Sequence, residues 1–101
     1  MTTQKRIAEV TLREDRAPDG EVSLLEAYVE EGGDLVIEGY DLGKTVKEVW
    51  GDSDYEYWRR VKREHVPTVL LQLIKERFSS DVAFHDWLKE KGIPDEFSSW
   101  V

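Results

Sequence analysis

The chain has 101 residues, 40% of them hydrophobic and 36% charged, with 22 acidic side chains against 14 Lys and Arg and a formal net charge of −8. This length makes one domain, 1–101, and four Trp, four Tyr and three Phe supply a modest core, so the chain is too apolar to be disordered. The net charge argues against double-stranded nucleic acid and anionic membranes as partners, because both are polyanions, and the absence of Cys excludes disulfides, thiol catalysis and thiolate metal sites.

Residues 5–14 alternate as a half-buried strand, with Ala8, Val10 and Leu12 on one face and Glu9, Thr11 and Arg13 on the other. Pro18 and Gly20 in DRAPDGE read as a turn. Residues 22–30 and 34–39, VSLLEAYVE and DLVIEG, are two β-prone runs joined by Glu31-Gly32-Gly33, the pattern of a hairpin. Both mix apolar and acidic residues, which predicts one wet, negative sheet face. Asp41 is placed to cap a short helix over 42–50, where Leu42, Val46, Val49 and Trp50 recur at helical spacing and Gly51 ends the run.

Tyr55–Lys62 reads as a further strand. One face carries Tyr55, Tyr57, Arg59 and Val61, and the other Glu56, Trp58, Arg60 and Lys62. Neither is cleanly apolar, which places this strand near a sheet edge. Val66, Val69, Leu70, Leu73, Ile74 and Phe78 form an apolar stripe on a helix over 65–78, with Pro67 tolerated in its first turn. Ser79-Ser80-Asp81 breaks that helix and caps the next, 81–91, whose Phe84, Trp87 and Leu88 face inward. Gly92-Ile93-Pro94 reads as a Schellman stop. The tail DEFSSWV, with Phe97 and Trp100, is expected to dock as a short strand or pack irregularly.

The expected order is β-β-β-α-β-α-α. That is an α+β domain with an antiparallel sheet of about four strands and two or three helices covering one face.

Charge along the chain is uneven. From Glu14 to Glu56 there are fourteen acidic residues and three basic ones, Arg16, Lys44 and Lys47; then come Arg59, Arg60, Lys62 and Arg63. Trp50, Tyr55, Tyr57 and Trp58 sit where the sign changes. Aromatics and arginines of this kind build recognition surfaces, so Tyr55, Tyr57, Trp58, Arg59, Arg60 and Trp100 are the candidate binding residues. Within the group, Tyr57, Trp58 and Trp100 are expected to be partly exposed, while Trp50 and Trp87 are read as core. The competing account is intramolecular: the basic strand pairs with acidic ones across the sheet. Single-stranded nucleic acid stacking on the cluster is opposed by the acidic half of the chain.

No chemical signature emerges. A calcium loop counted from Asp52 has Tyr57 where Gly is required and Arg63 where a bidentate Glu is required. Asp41, Asp52 and Asp54 remain a conceivable cation cluster. His65 and His85 are not a short-spaced ligand pair, no Ser lies in a G-x-S-x-G elbow, and no Gly-rich phosphate loop is present. No catalytic residue, metal ligand or cofactor is therefore assigned.

The segments DLVIEGYDLG, GDSDYEYWRRV and FHDWLKEKGIPDEF resemble those of a group of small bacterial α+β proteins across most of the chain. The resemblance implies a bacterial cytoplasmic domain and transfers no functional residue. The start, MTTQKRIAEV, lacks an apolar signal region, and no apolar run nears the ~20 residues of a membrane span, in keeping with a cytoplasmic location.

Three roles fit these observations. The first is a small acidic, non-enzymatic module for a basic protein partner, comparable to immunity proteins and antitoxins. The second is a small-ligand or cation binder, or an enzyme, with a pocket near Asp41–Asp54. The third is a structural protein that self-associates through the Tyr55–Lys62 strand as an exposed edge.

Overall fold

A computed structural model describes residues 4–43 and 54–100. The chain divides into two compact units, Met1–Pro67 and Thr68–Val101.

The first unit is a four-stranded antiparallel sheet in the order β1-β2-β3-β4, with β1 Arg6–Arg16, β2 Val22–Glu30, β3 Leu35–Leu42 and β4 Asp54–Val61. Each described connection has the turn chemistry its residues call for. After β1, the amide of Gly20 donates to the Ala17 carbonyl at 3.0 Å, and Gly20 takes a φ of 93°. Between β2 and β3, Gly33 turns the chain at φ 97° and its amide donates to Glu30 at 2.8 Å.

Two irregularities set the faces of β1. Arg6 lies opposite Glu30 and Ala8 opposite Val29, so Ile7 is an extra residue; Thr11 lies opposite Glu26 and Arg13 opposite Leu25, so Leu12 is another. A bulge of this kind flips the side chains on either side of it relative to simple alternation. Arg6 thereby joins Glu9 and Thr11 on one face, while Arg13 joins Ala8 and Val10 on the other. The alternation read for 5–14 holds from Ala8 to Thr11 and fails at Leu12.

Among the described residues the order is β-β-β-β-α-α, not β-β-β-α-β-α-α. The difference begins at Asp41 and Leu42. These residues complete β3, opposite Ser23 and Val22 on one side and Tyr55 and Asp54 on the other. Pairing on two sides satisfies their backbone groups more fully than a helix cap would. Residues 44–53, including Val46, Val49, Trp50 and Gly51 of the foreseen helix, lie outside the described residues.

A 3-10 turn, Arg63–His65, leads from the sheet into α1, Val66–Arg77, with Pro67 in its first turn. The second unit carries the remainder of α1 and then α2, Asp81–Glu90. Ser80 caps α2, its Oγ accepting from the Ala83 amide at 3.1 Å. The stop at Gly92 is a Schellman motif. Gly92 has φ 70°, its amide donates to the Lys89 carbonyl at 3.1 Å, and the Ile93 amide donates to Leu88 at 2.9 Å.

Phe78, Phe84 and Trp87 form the aromatic centre of this unit. The Phe78 ring meets Phe84 and Trp87 edge-on at 5.3 and 5.7 Å between centroids. Leu70 and Leu73 of the stripe stay exposed, as do Phe97 and Trp100 in the irregular tail.

Candidate functional site

The sheet has one mixed polar face and one more apolar face. Leu25, Ala27, Val29, Leu35, Ile37 and Tyr57 lie on the second and are half-buried. The Tyr57 ring covers Gly39 so closely that any Cβ there would overlap it. Acidic residues crowd the first face, yet the most enclosed side chains among the described residues are on it too. Val36 is 0% exposed, Tyr28 7% and Glu30 6%. An acidic face left simply open to solvent is therefore not what the chain builds. Val36 sits between Tyr28 and Arg60, its cross-strand neighbours, and the apolar stems of long charged side chains can cover such a position.

Glu38, on the central strand β3, organises this face. Its Oε1 accepts from Trp58 Nε1 at 2.6 Å and from the Tyr28 hydroxyl at 3.1 Å. Its direct neighbour on β2 is Glu26, a like-charge pairing that opposes strand association. Arg6 resolves this. Its guanidinium lies 3.7 Å from the Tyr28 ring centroid and reaches Glu26 at 3.6 Å, Glu38 at 3.5 Å and Glu9 at 3.0 Å. The hydrogen bond to Glu9, and then the charges of Glu38 and Glu26, push the Arg6 pKa further up. Burial raises the pKa of the Tyr28 hydroxyl, and its bond to the Glu38 carboxylate adds to the rise.

A second cluster ties the hairpin to the end of β4. Arg60 Nη1 binds both Glu30 and Asp34, the latter at 3.1 Å, and Lys62 stands 3.7 Å from Asp34. Asp34 Oδ1 accepts the Arg63 amide at 2.8 Å. That amide bond, reinforced by Arg60 and Lys62, holds the Asp34 carboxyl below the ordinary range. A depressed native pKa contributes stability above the unfolded value, near pH ~4, and the contribution is lost as pH falls through the native value. Asp34→Asn keeps an acceptor for the Arg63 amide but removes the charge. It is expected to lower the denaturation midpoint at neutral pH, and the gap to the parent chain is expected to narrow as the pH falls into the acid range where the native Asp34 carboxyl takes up its proton. An equal gap at neutral and acid pH would remove charge from this account.

The candidate residues are thus divided by the pleat. Trp58 and Arg60 stand on the polar face; Tyr55, Tyr57 and Arg59 stand on the opposite one, with the Tyr55 and Tyr57 rings 5.5 Å apart. Trp100 belongs to the second unit and is fully exposed at 101%. The basic run pairs with acidic strands only in part. Arg60 and Lys62 do so through their side chains and Arg63 through its backbone, whereas the Arg59 side chain has no ion-pair partner among the described residues.

His85 pairs with Asp95 at 3.0 Å, and among the described residues no group of three or more His, Asp and Glu converges as metal ligands would. Asp52 and most of the foreseen pocket fall outside the described residues, whereas Asp41 near the end of β3 and Asp54 at the start of β4 are described and stand on opposite faces of the sheet. A shallow groove of about 350 Å³ lies instead on the second unit, lined by Arg77, Phe78, Asp86 and Trp87 among others. Among the described residues no helix is long and apolar enough to cross a membrane.

Sequence reasoning missed Arg6, Tyr28, Glu30, Asp34 and Glu38. Their signal was the hairpin register, which forces Glu26 opposite Glu38 and so calls for a cation nearby.

Comparison with protein-family models, with curated proteins and with solved structures finds no match to this chain.

Proposed function

We propose that the chain is a small, non-enzymatic protein-binding module that docks a basic partner on the polar sheet face at its β4 side. Trp58 carries this reading. It is 51% exposed, yet its indole is pinned by Glu38 at 2.6 Å. An aromatic anchor that is held in place before binding loses little freedom on contact, and such anchors dominate interface energies. Glu38 lies opposite it across the β3–β4 ladder, Glu56 lies two residues before it on the same face of β4, and the net charge of −8 favours fast encounter with a basic surface.

The test is affinity capture from lysate at low and high salt, with the parent chain and Trp58→Ala as baits. A basic protein retained at low salt, released at high salt and lost from the Trp58→Ala bait is expected. Identical captures on both baits, or none on either, would sink the reading.

The position of β4 at the edge of the sheet favours a second reading, self-association through the Tyr55–Lys62 strand.

A further inference from the structure

We infer that β4 is built to pair with β4 of a second copy, antiparallel and in one register, with Trp58 opposite Trp58 on a two-fold axis. The inference rests on the self-association reading and gives it a geometry.

The two edges of the sheet differ. β1 is interrupted by two bulges, a common device for blunting an edge, whereas β4 pairs with β3 over eight consecutive residues without a shift. On β4, Asp54, Glu56, Trp58, Arg59 and Arg60 are all exposed.

The charge step lies within this strand. Asp54 and Glu56 precede Trp58 and Arg60 follows it, all three on the same face as the indole, and Lys62 comes just beyond the strand's last residue. Opposite residues of an antiparallel pair share a face, so a two-fold at Trp58 sets Glu56 against Arg60 of the second copy and brings Asp54 to the end of the partner strand, where Lys62 follows. Symmetry repeats both placements. On the other face, Tyr57 meets Arg59 and Tyr55 meets Val61.

Neighbouring registers are worse. A two-fold at Glu56 opposes two glutamates, one at Arg59 or Arg60 opposes two arginines, and one at Tyr57 sets Glu56 against Trp58. Among the described residues, neither the Glu56 nor the Arg59 side chain has an ion-pair or hydrogen-bond partner. Arg60 uses only Nη1 for Glu30 and Asp34, which leaves Nη2 and Nε for an incoming carboxylate.

A strand-to-strand contact falls below the ~1,200 Å² of a typical specific interface, so the dimer forms reversibly with concentration. Light scattering on the full chain up to about 1 mM is expected to show a monomer–dimer equilibrium. Register is read with single cysteines, because the chain has none of its own. Directly opposite Cα atoms are ~4.5–5.5 Å apart, within disulfide range, so Trp58→Cys is expected to cross-link on oxidation. Glu56→Cys and Arg60→Cys place their sulfurs roughly 14 Å from their symmetry mates and are expected not to cross-link.

Because Trp58→Cys removes the bond to Glu38, Glu56→Lys provides an independent measure. It should weaken dimerisation about tenfold by turning two attractive pairs repulsive. A strict monomer overturns self-association itself and leaves the partner-binding reading to its own capture test. A dimer that cross-links best at position 56 or 60, or that ignores Glu56→Lys, overturns the register alone.

Discussion

Val36→Ala is expected to cost the sheet unit about 2 kcal/mol, the loss for removing two buried methyl groups where the surroundings cannot close the gap. Val36 is 0% exposed, on a central strand with Tyr28 and Arg60 as its cross-strand neighbours. Both neighbours are tethered. The Tyr28 hydroxyl is bound to Glu38, and Arg60 is bound to Glu30 and Asp34. Neither can slide into the space a valine leaves without giving up a hydrogen bond. Small domains have only ~5–15 kcal/mol of stability, so this single change takes a large share. Val61→Ala is the control: it lies on edge strand β4 and is half-buried, so its loss should stay below about 1 kcal/mol. Urea denaturation combined with amide hydrogen exchange on β2 and β3 separates this unit from the helical one. Equal losses for the two variants would mean that Val36 is not the packing centre of the sheet.

Local chemistry made much of this fold readable. The hairpin glycines, the Ser80 cap and the Gly92-Ile93-Pro94 stop each act within a few residues, and each appears where its residue type requires it. The β4 faces were equally legible, because a strand without Gly, Pro or bulge keeps its alternation. What was not legible depends on partners distant in sequence. Nothing in RIAEVTLR marks an extra residue at Ile7 or Leu12, since neither bulge uses glycine. Without the first bulge, Arg6 would fall on the apolar side, and the cation that reconciles Glu26 with Glu38 could not be identified. Leu42 fits a helical spacing with Val46 and Val49, but it also fits a ladder between β2 and β4, and only the sheet supplies the second choice. The site was half legible for the same reason. The aromatic-basic strand was visible as a run, while the glutamates that receive Trp58 and Arg60 lie 20 and 30 residues away.

Glu38→Ala is expected to destabilise the sheet by about 1–3 kcal/mol, whereas Glu38→Gln should cost well under half as much. The difference separates hydrogen bonding from charge. Glu38 Oε1 serves two donors, Tyr28 and Trp58. Alanine removes the acceptor for both. The half-exposed indole can turn to water, but the Tyr28 hydroxyl belongs to a residue only 7% exposed and loses its partner. Glutamine keeps a carbonyl oxygen at the same reach. It also ends the like-charge opposition with Glu26, offsetting what is lost in the long 3.5 Å contact to Arg6. The two variants should further differ in Trp58 itself. In Glu38→Ala the indole loses its tether and any partner affinity that depends on a fixed ring falls with it, while Glu38→Gln preserves both. Denaturation curves and binding to the captured partner test the two arms separately. If glutamine proves as damaging as alanine in both, the hub works through the charge it shares with Arg6 rather than through the acceptor it offers Tyr28 and Trp58.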